Sequence, residues 1–201
     1  MPSLDCSIAP SDVLNLCTCE PGGENRFAEW PLASMYFGAM SLSAQLAADL
    51  TRGPAYSFAN WPNASVPTFG AGVYAIWHND GRFIYVGMSG RGITAETTHR
   101  NTPQGIYTRL QSHASGRRSG DQFCVYVADR LVLPTLSQED ITAVASGRHQ
   151  MDAFVRRYIH ENLTYRFVVL PDGAAAYAVE AAIKSGAGAT AKFQLPSSPS
   201  H

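Results

Sequence analysis

The 201-residue sequence predicts an α+β fold: a small central antiparallel sheet flanked by helices, preceded by an N-terminal helical arm. Three observations carry that expectation. Asn79-Asp80-Gly81 separates two runs rich in aromatic and β-branched residues, Gly72–His78 and Arg82–Met88, and Asp-Gly between such runs is a strong hairpin signal. Asp121–Val127 and Tyr165–Leu170 have the Phe, Val and Tyr content of two further strands. Helix signals fill the intervals between these runs.

In chain order, residues 1 to 30 are turn-rich, with Pro2, Pro10 and Pro21-Gly22-Gly23. Met35–Leu50 is rich in Ala, Leu and Met, has Ser34 as a cap, and reads as a helix stopped by Gly53-Pro54. A Gly- and Thr-rich loop, Ser89–Pro103, follows the hairpin and leads into a short helix over Gly105–Ala114. Ser137–Asp140 has the form of a helix start and Gly147 that of its end. Met151–Asn162 patterns as a helix around Arg156-Arg157. Pro171-Asp172-Gly173 is a turn, and Ala174–Ser185 an Ala-rich helix ended by Gly186. Residues 1–68 therefore form an arm with one helix and no assigned role, residues 69–195 the main domain, and residues 196–201 a Ser- and Pro-rich tail.

Composition sets bounds on function. With 45% hydrophobic and 15% charged residues the chain is globular, not disordered, and 17 glycines and 12 prolines exclude one long coiled-coil rod. A net charge of -1 excludes a domain that is basic overall. The charge is unevenly spread, however. Through Val66 there are six acids and two bases, and from Pro67 onward 13 bases and 10 acids. Between Arg82 and Gly120, six arginines (Arg82, Arg91, Arg100, Arg109, Arg117, Arg118) are accompanied by Glu96 as the lone acid. Arginine at all six places suits phosphate, because the guanidinium fork binds an oxyanion at two points.

Cys6, Cys17, Cys19 and Cys124 have no zinc spacing, and Cys124 reads as a small buried hydrophobe. There is no basic-then-apolar leader and no run of 18 apolar residues, so the expected protein is reduced and cytoplasmic.

Two tripeptides stand out: Gly72-Val73-Tyr74 and Tyr85-Val86-Gly87, with ten residues between the tyrosines. Residues on one face of an antiparallel pair recur every second position, so the two tyrosines can share a surface. The glycine outside each tyrosine leaves space for something large to approach the backbone.

These triplets resemble those that name the GIY-YIG nucleases, over roughly Phe69 to Phe193. The resemblance implies cleavage of DNA phosphodiester bonds with a single divalent metal, Mg2+ or Mn2+. In that family a helix after the second triplet supplies an arginine and a later helix a glutamate. Arg109 and Glu180 stand at the matching places, and His113, four residues after Arg109, is similar to an arrangement in some restriction enzymes of the family. The resemblance implies Tyr74, Tyr85, Arg109, His113 and Glu180 as one catalytic cluster, with Glu180 as metal ligand. Arg109 would neutralise the phosphoryl oxygens and the metal would stabilise the leaving oxygen. Tyr74 would take a proton from the attacking water, which requires nearby cations to favour phenolate, since a free phenol titrates near 10. Tyr85 would orient water or contact phosphate, and His113 would assist proton transfer or bind phosphate.

Arg91, Arg117 and Arg118 are the candidates for DNA-backbone contact. Cutting both strands would call for a homodimer, since each chain has one site. Family members usually carry an asparagine after the glutamate, whereas Gly188–Ser197 has none and offers only the amide of Gln194. Two other functions follow from that departure and from the weak basic balance: a non-catalytic nucleic-acid-binding module of the same fold, and a metal-dependent phosphodiesterase acting on a small nucleotide.

Overall fold

The computed structural model describes residues 44–97 and 102–185. The start of the Met35–Leu50 helix, the helix stop at Gly186, Gln194 and the Ser/Pro tail lie outside the described residues. Within them the fold is α+β, with six α-helices and an open sheet of five strands. Helix α1 (Ala44–Arg52) and the short strand β1 (Tyr56–Ser57) precede the hairpin of β2 (Phe69–His78) and β3 (Phe83–Ser89). The two-residue β4 (Gln104–Gly105) leads into α2 (Ile106–Ser115), followed by α3 (Gln122–Val127) and α4 (Gln138–Ala145). Helix α5 (Met151–Asn162), strand β5 (Leu163–Leu170) and α6 (Gly173–Lys184) complete the order. No described helix is long and apolar enough to cross a membrane.

The strands run β1-β5-β2-β3, all antiparallel, and β4 adds a short parallel pairing to the start of β2. Strand β2 is thus central, and eight of its ten residues are buried. Its two faces carry different cores. Ala71, Val73, Ala75 and Trp77 pack against α1 and α6 through Leu50, Ala176, Val179 and Ile183. Tyr74 and Ile76 pack on the opposite face with Ile106 and Leu110 of α2, Phe123 and Val127 of α3, and Val155 and Ile159 of α5. The segment before Phe69 supplies α1 and β1 to this same body, with Leu50 and Phe58 completely buried.

The expected hairpin, the α2, α4, α5 and α6 helices, and the last strand are present within a few residues of their predicted bounds. One expectation is overturned. Asp121–Val127 is not a strand: Gln122–Val127 is a helix, extended by a π turn over Ala128–Val132. Asp121 caps it by accepting from the amides of Phe123 and Cys124. Its apolar residues Phe123, Cys124, Val127 and Ala128 fall at the i, i+1, i+4, i+5 spacing of one helix face, and all are buried. A short apolar run does not by itself distinguish a strand from a buried helix, and here the cap and the packing decide.

The glycines of the two triplets serve packing inside the domain, not an approach from outside. A Cβ on Gly72 would collide with the Val168 carbonyl and the Ile106 side chain. A Cβ on Gly87 would meet the Tyr74 hydroxyl, lie 2.7 Å from Tyr74 Cζ and 2.8 Å from Tyr85 Cε1. Gly87 is the direct cross-strand partner of Tyr74, and its missing side chain is the space the Tyr74 ring occupies. Gly87→Ala should therefore cost about 1–3 kcal/mol of stability, the usual range for overpacking. Gly92→Ala, where an added Cβ meets nothing within 4 Å, should stay within about 0.5 kcal/mol. Urea denaturation of the two variants checks the contrast, and equal midpoints would refute it.

Candidate functional site

Tyr85 lies opposite Ile76 in the hairpin, and Tyr74 opposite Gly87. Tyr74, Ile76 and Tyr85 therefore share one sheet face. The bulge at Ile84 is what turns Tyr85 to this face, and the two tyrosines are diagonal neighbours, ring centroids 6.3 Å apart. Helix α2 runs over this face and inserts His113, whose ring lies 5.4 Å from Tyr74 and 6.1 Å from Tyr85. Tyr74 and His113 are 1% and 2% exposed, so their polar atoms depend on protein partners.

Those partners form a chain. Tyr74 Oη is 2.8 Å from His113 Nε2, and His113 Nδ1 is 2.7 Å from Asp121 Oδ2. Asp121 also accepts from the Ser112 hydroxyl at 2.7 Å and from the Phe123 and Cys124 amides. Burial works to raise the Asp121 pKa, but the hydrogen bonds and charge of His113, with Ser112 and the Cys124 amide, outweigh it and hold the carboxyl below its usual range. Asp121 is thus a carboxylate that only accepts. His113 Nδ1 must carry the hydrogen it donates. Burial also lowers the His113 pKa, against the pull of Asp121, so the imidazole is neutral and its Nε2 accepts the Tyr74 proton. The direction Tyr74 to His113 to Asp121 is therefore fixed by the chemistry of the carboxylate.

Burial raises the Tyr74 pKa well above its ordinary value, and the charges of Tyr85, Asp121 and Glu180 add to this. Arg109 opposes them and does not prevail. A standing phenolate, the condition attached to Tyr74 as a base, is thus disfavoured. What the arrangement offers is a phenol able to hand its own proton to His113 as it receives another.

Arg109 is exposed on α2, four residues before His113. Glu180 sits on α6, on the far side of the sheet, with Oε1 3.1 Å from Lys184 Nζ. Tyr74, Tyr85 and His113 are thus in contact on one sheet face, Arg109 is exposed on the helix that carries His113, and Glu180 stands on the helix packed against the other face. The arginines proposed for DNA contact divide. Arg91 lies over the Tyr177 ring, 4.8 Å from its centroid and one helical turn before Glu180. Arg117 is exposed beyond α2, and Arg118 is bound to Asp152 at 2.6 Å.

Asp121 stands in the sequence at the start of an expected strand, where with Asp129 it offers at most an unsupported carboxylate pair, and nothing there places it beside His113. Its signal was an Asp directly ahead of an apolar helical run, the pattern of an N-cap.

Among the described residues one group of side chains could ligate a metal. His113, Asp121 and Cys124 have ligand atoms within 4.8 Å of one another. Both ring nitrogens of His113 and both oxygens of Asp121 already hold hydrogen bonds. Burial pushes the Cys124 thiol far up in pKa and keeps it from the thiolate form a metal needs. This group fits a metal poorly. Glu180 is paired through Oε1 with Lys184 and belongs to no group of three or more ligating side chains among the described residues.

No family model, curated protein or solved structure matches the chain.

Proposed function

We propose that this chain is a GIY-YIG-type endonuclease, hydrolysing DNA phosphodiester bonds with a divalent metal. The observation that supports the reading is the buried contact of Tyr74 with His113 and Tyr85, with Arg109 on the helix that carries His113 and Glu180 on α6 across the sheet. These residues come from β2, β3, α2 and α6, and their chemistry suits one reaction. A water attacking phosphorus gives its proton to Tyr74 Oη while Tyr74 passes its own to His113 Nε2. The imidazolium that results is held by the Asp121 carboxylate. The exposed Arg109 reaches the phosphoryl oxygens, on which negative charge grows. Glu180 would hold the metal, which when bound supplies positive charge for the leaving oxygen. Tyr74 is only 1% exposed, so this step requires the groups packed over its hydroxyl to part when substrate binds.

The same burial favours a second reading. A fully enclosed Tyr-His-Asp chain also serves to stiffen a core, and the protein would then bind nucleic acid without cutting it. Supercoiled plasmid incubated with Mg2+ or Mn2+ separates the two. The nuclease reading expects nicking that EDTA stops and that Glu180→Ala and Arg109→Ala each abolish. Folded wild type that binds DNA and never nicks it would establish the binding module. Nicking that survives Glu180→Ala would place the active site elsewhere. If both strands of a duplex are cut, a homodimer is expected, one site per strand.

A further inference from the structure

A cavity of about 760 Å³ is an open groove between α2 and α5, lined also by the Trp61-Pro62 loop. On α2 it uses Tyr107 and Gln111, whereas Arg109 and His113 project from a different side of the same helix. The groove is thus separate from the tyrosine cluster, about one helix diameter away, roughly 10–12 Å. Trp61 and Tyr107 form an aromatic pair at its base, centroids 5.1 Å apart, and both are only partly buried. Arg117 and Arg156 stand at its walls, exposed and with no ion pair among the described residues. The one acid in the lining, Asp152, is already neutralised by Arg118. Gln111 and Gln150 add amides that both donate and accept.

We propose that this groove binds a segment of single-stranded DNA. Aromatic faces stack on bases of any sequence, and free guanidinium groups bind the phosphates between them. The volume lies in the range of ligand sites, and the groove is open to solvent. A duplex, whose bases are stacked within, could not present them to Trp61 and Tyr107. The proposal deepens the nuclease reading, since an unpaired strand leaving the catalytic cluster would cross α2 to reach the groove. Binding itself does not depend on cleavage.

The test titrates the full-length Glu180→Ala chain with an oligothymidylate of about eight nucleotides, within the usual site size. Tryptophan fluorescence at several salt concentrations is the readout. Quenching is expected, and Trp61→Phe should remove it. Arg117→Ala/Arg156→Ala, at two exposed positions, should weaken binding about tenfold or more and lower the salt slope by about 1.4, two single-strand phosphate contacts. Absence of quenching, an unchanged affinity and slope in the double arginine variant, or equal affinity for duplex of the same length would each overturn the proposal. Binding that meets these expectations in a chain whose wild type cuts no plasmid would leave the groove standing and remove the nuclease. Plasmid cleavage with no oligonucleotide binding would do the reverse.

Discussion

Tyr74→Phe is expected to lower metal-dependent cleavage by about 10²–10⁴-fold, the range associated with loss of a positioned proton-transfer group. The substitution keeps the ring that fills the space opposite Gly87 and removes only the hydroxyl. Water then has no path for its proton to His113, and the Arg109 and Glu180 charges have no phenol to act on. The cost to folding is small by comparison. His113 Nε2 loses its donor in a buried setting, about 1–3 kcal/mol, so the variant should remain folded at room temperature. The pH profile sharpens the test. Wild-type cleavage needs neutral His113, whose pKa burial lowers, so activity should persist to below the ordinary histidine value of about 6.5 and fall as pH drops further. The residual activity of Tyr74→Phe should lose that acid limb. A variant that cleaves at the wild-type rate, or keeps the limb, would mean that protons do not leave through this chain.

Much of this site was legible in the residues, and its gaps have physical causes. Asp80-Gly81 set the hairpin, but the register it starts would put Tyr74 and Tyr85 on opposite faces, and the bulge at Ile84, which local pattern does not give, brings them to one. The four-residue interval from Arg109 to His113 required a common helical side. Ser137 and Asp140 form the capping box their spacing implies, and Asp172 caps α6. What local pattern could not give was assigned by tertiary contacts. The Phe-Cys-Val-Tyr-Val run has strand composition, yet the buried stripe of Phe123, Cys124 and Val127 makes it helix α3. β1 and β4 are two-residue pairings that exist because β5 and β2 lie beside them. The triplet glycines promised room for a ligand, but Tyr74 and Ile106 fill it. Asp121 belongs with His113 only because the chain turns after α2 and starts α3 against it. Glu180 stands on a helix packed against the other face of the sheet, a placement that local pattern does not give.

Asp121 is where stability and activity should be hardest to separate, and two substitutions divide them. Asp121→Ala removes the α3 cap, worth about 1 kcal/mol, and leaves His113 and Ser112 without their acceptor in a buried place. A loss of about 2–4 kcal/mol is expected from these combined, read as a fall in the urea midpoint. Asp121→Asn keeps an oxygen for the Phe123 and Cys124 amides, so the cap and most of the stability should survive. Its amide would meet His113 Nδ1 as a donor, however, and would favour the tautomer with hydrogen on Nε2. Tyr74 could then no longer pass its proton there, and cleavage should drop by about 10²-fold or more despite a folded protein. Stability against pH gives an independent check. Because the folded-state pKa of His113 lies below its unfolded value, the unfolded chain binds the extra proton first. The His113 contribution is complete above about pH 6.5 and is lost as pH falls through the depressed folded value. Asp121 adds a second loss below about pH 3.8, since its own folded pKa is also depressed. Wild type should therefore unfold at lower urea at pH 5 than at pH 7.5, and His113→Gln should flatten that difference. An Asp121→Asn chain that cuts DNA normally would reduce the carboxylate to a helix cap, and the proton would have to leave Tyr74 with no fixed tautomer behind it.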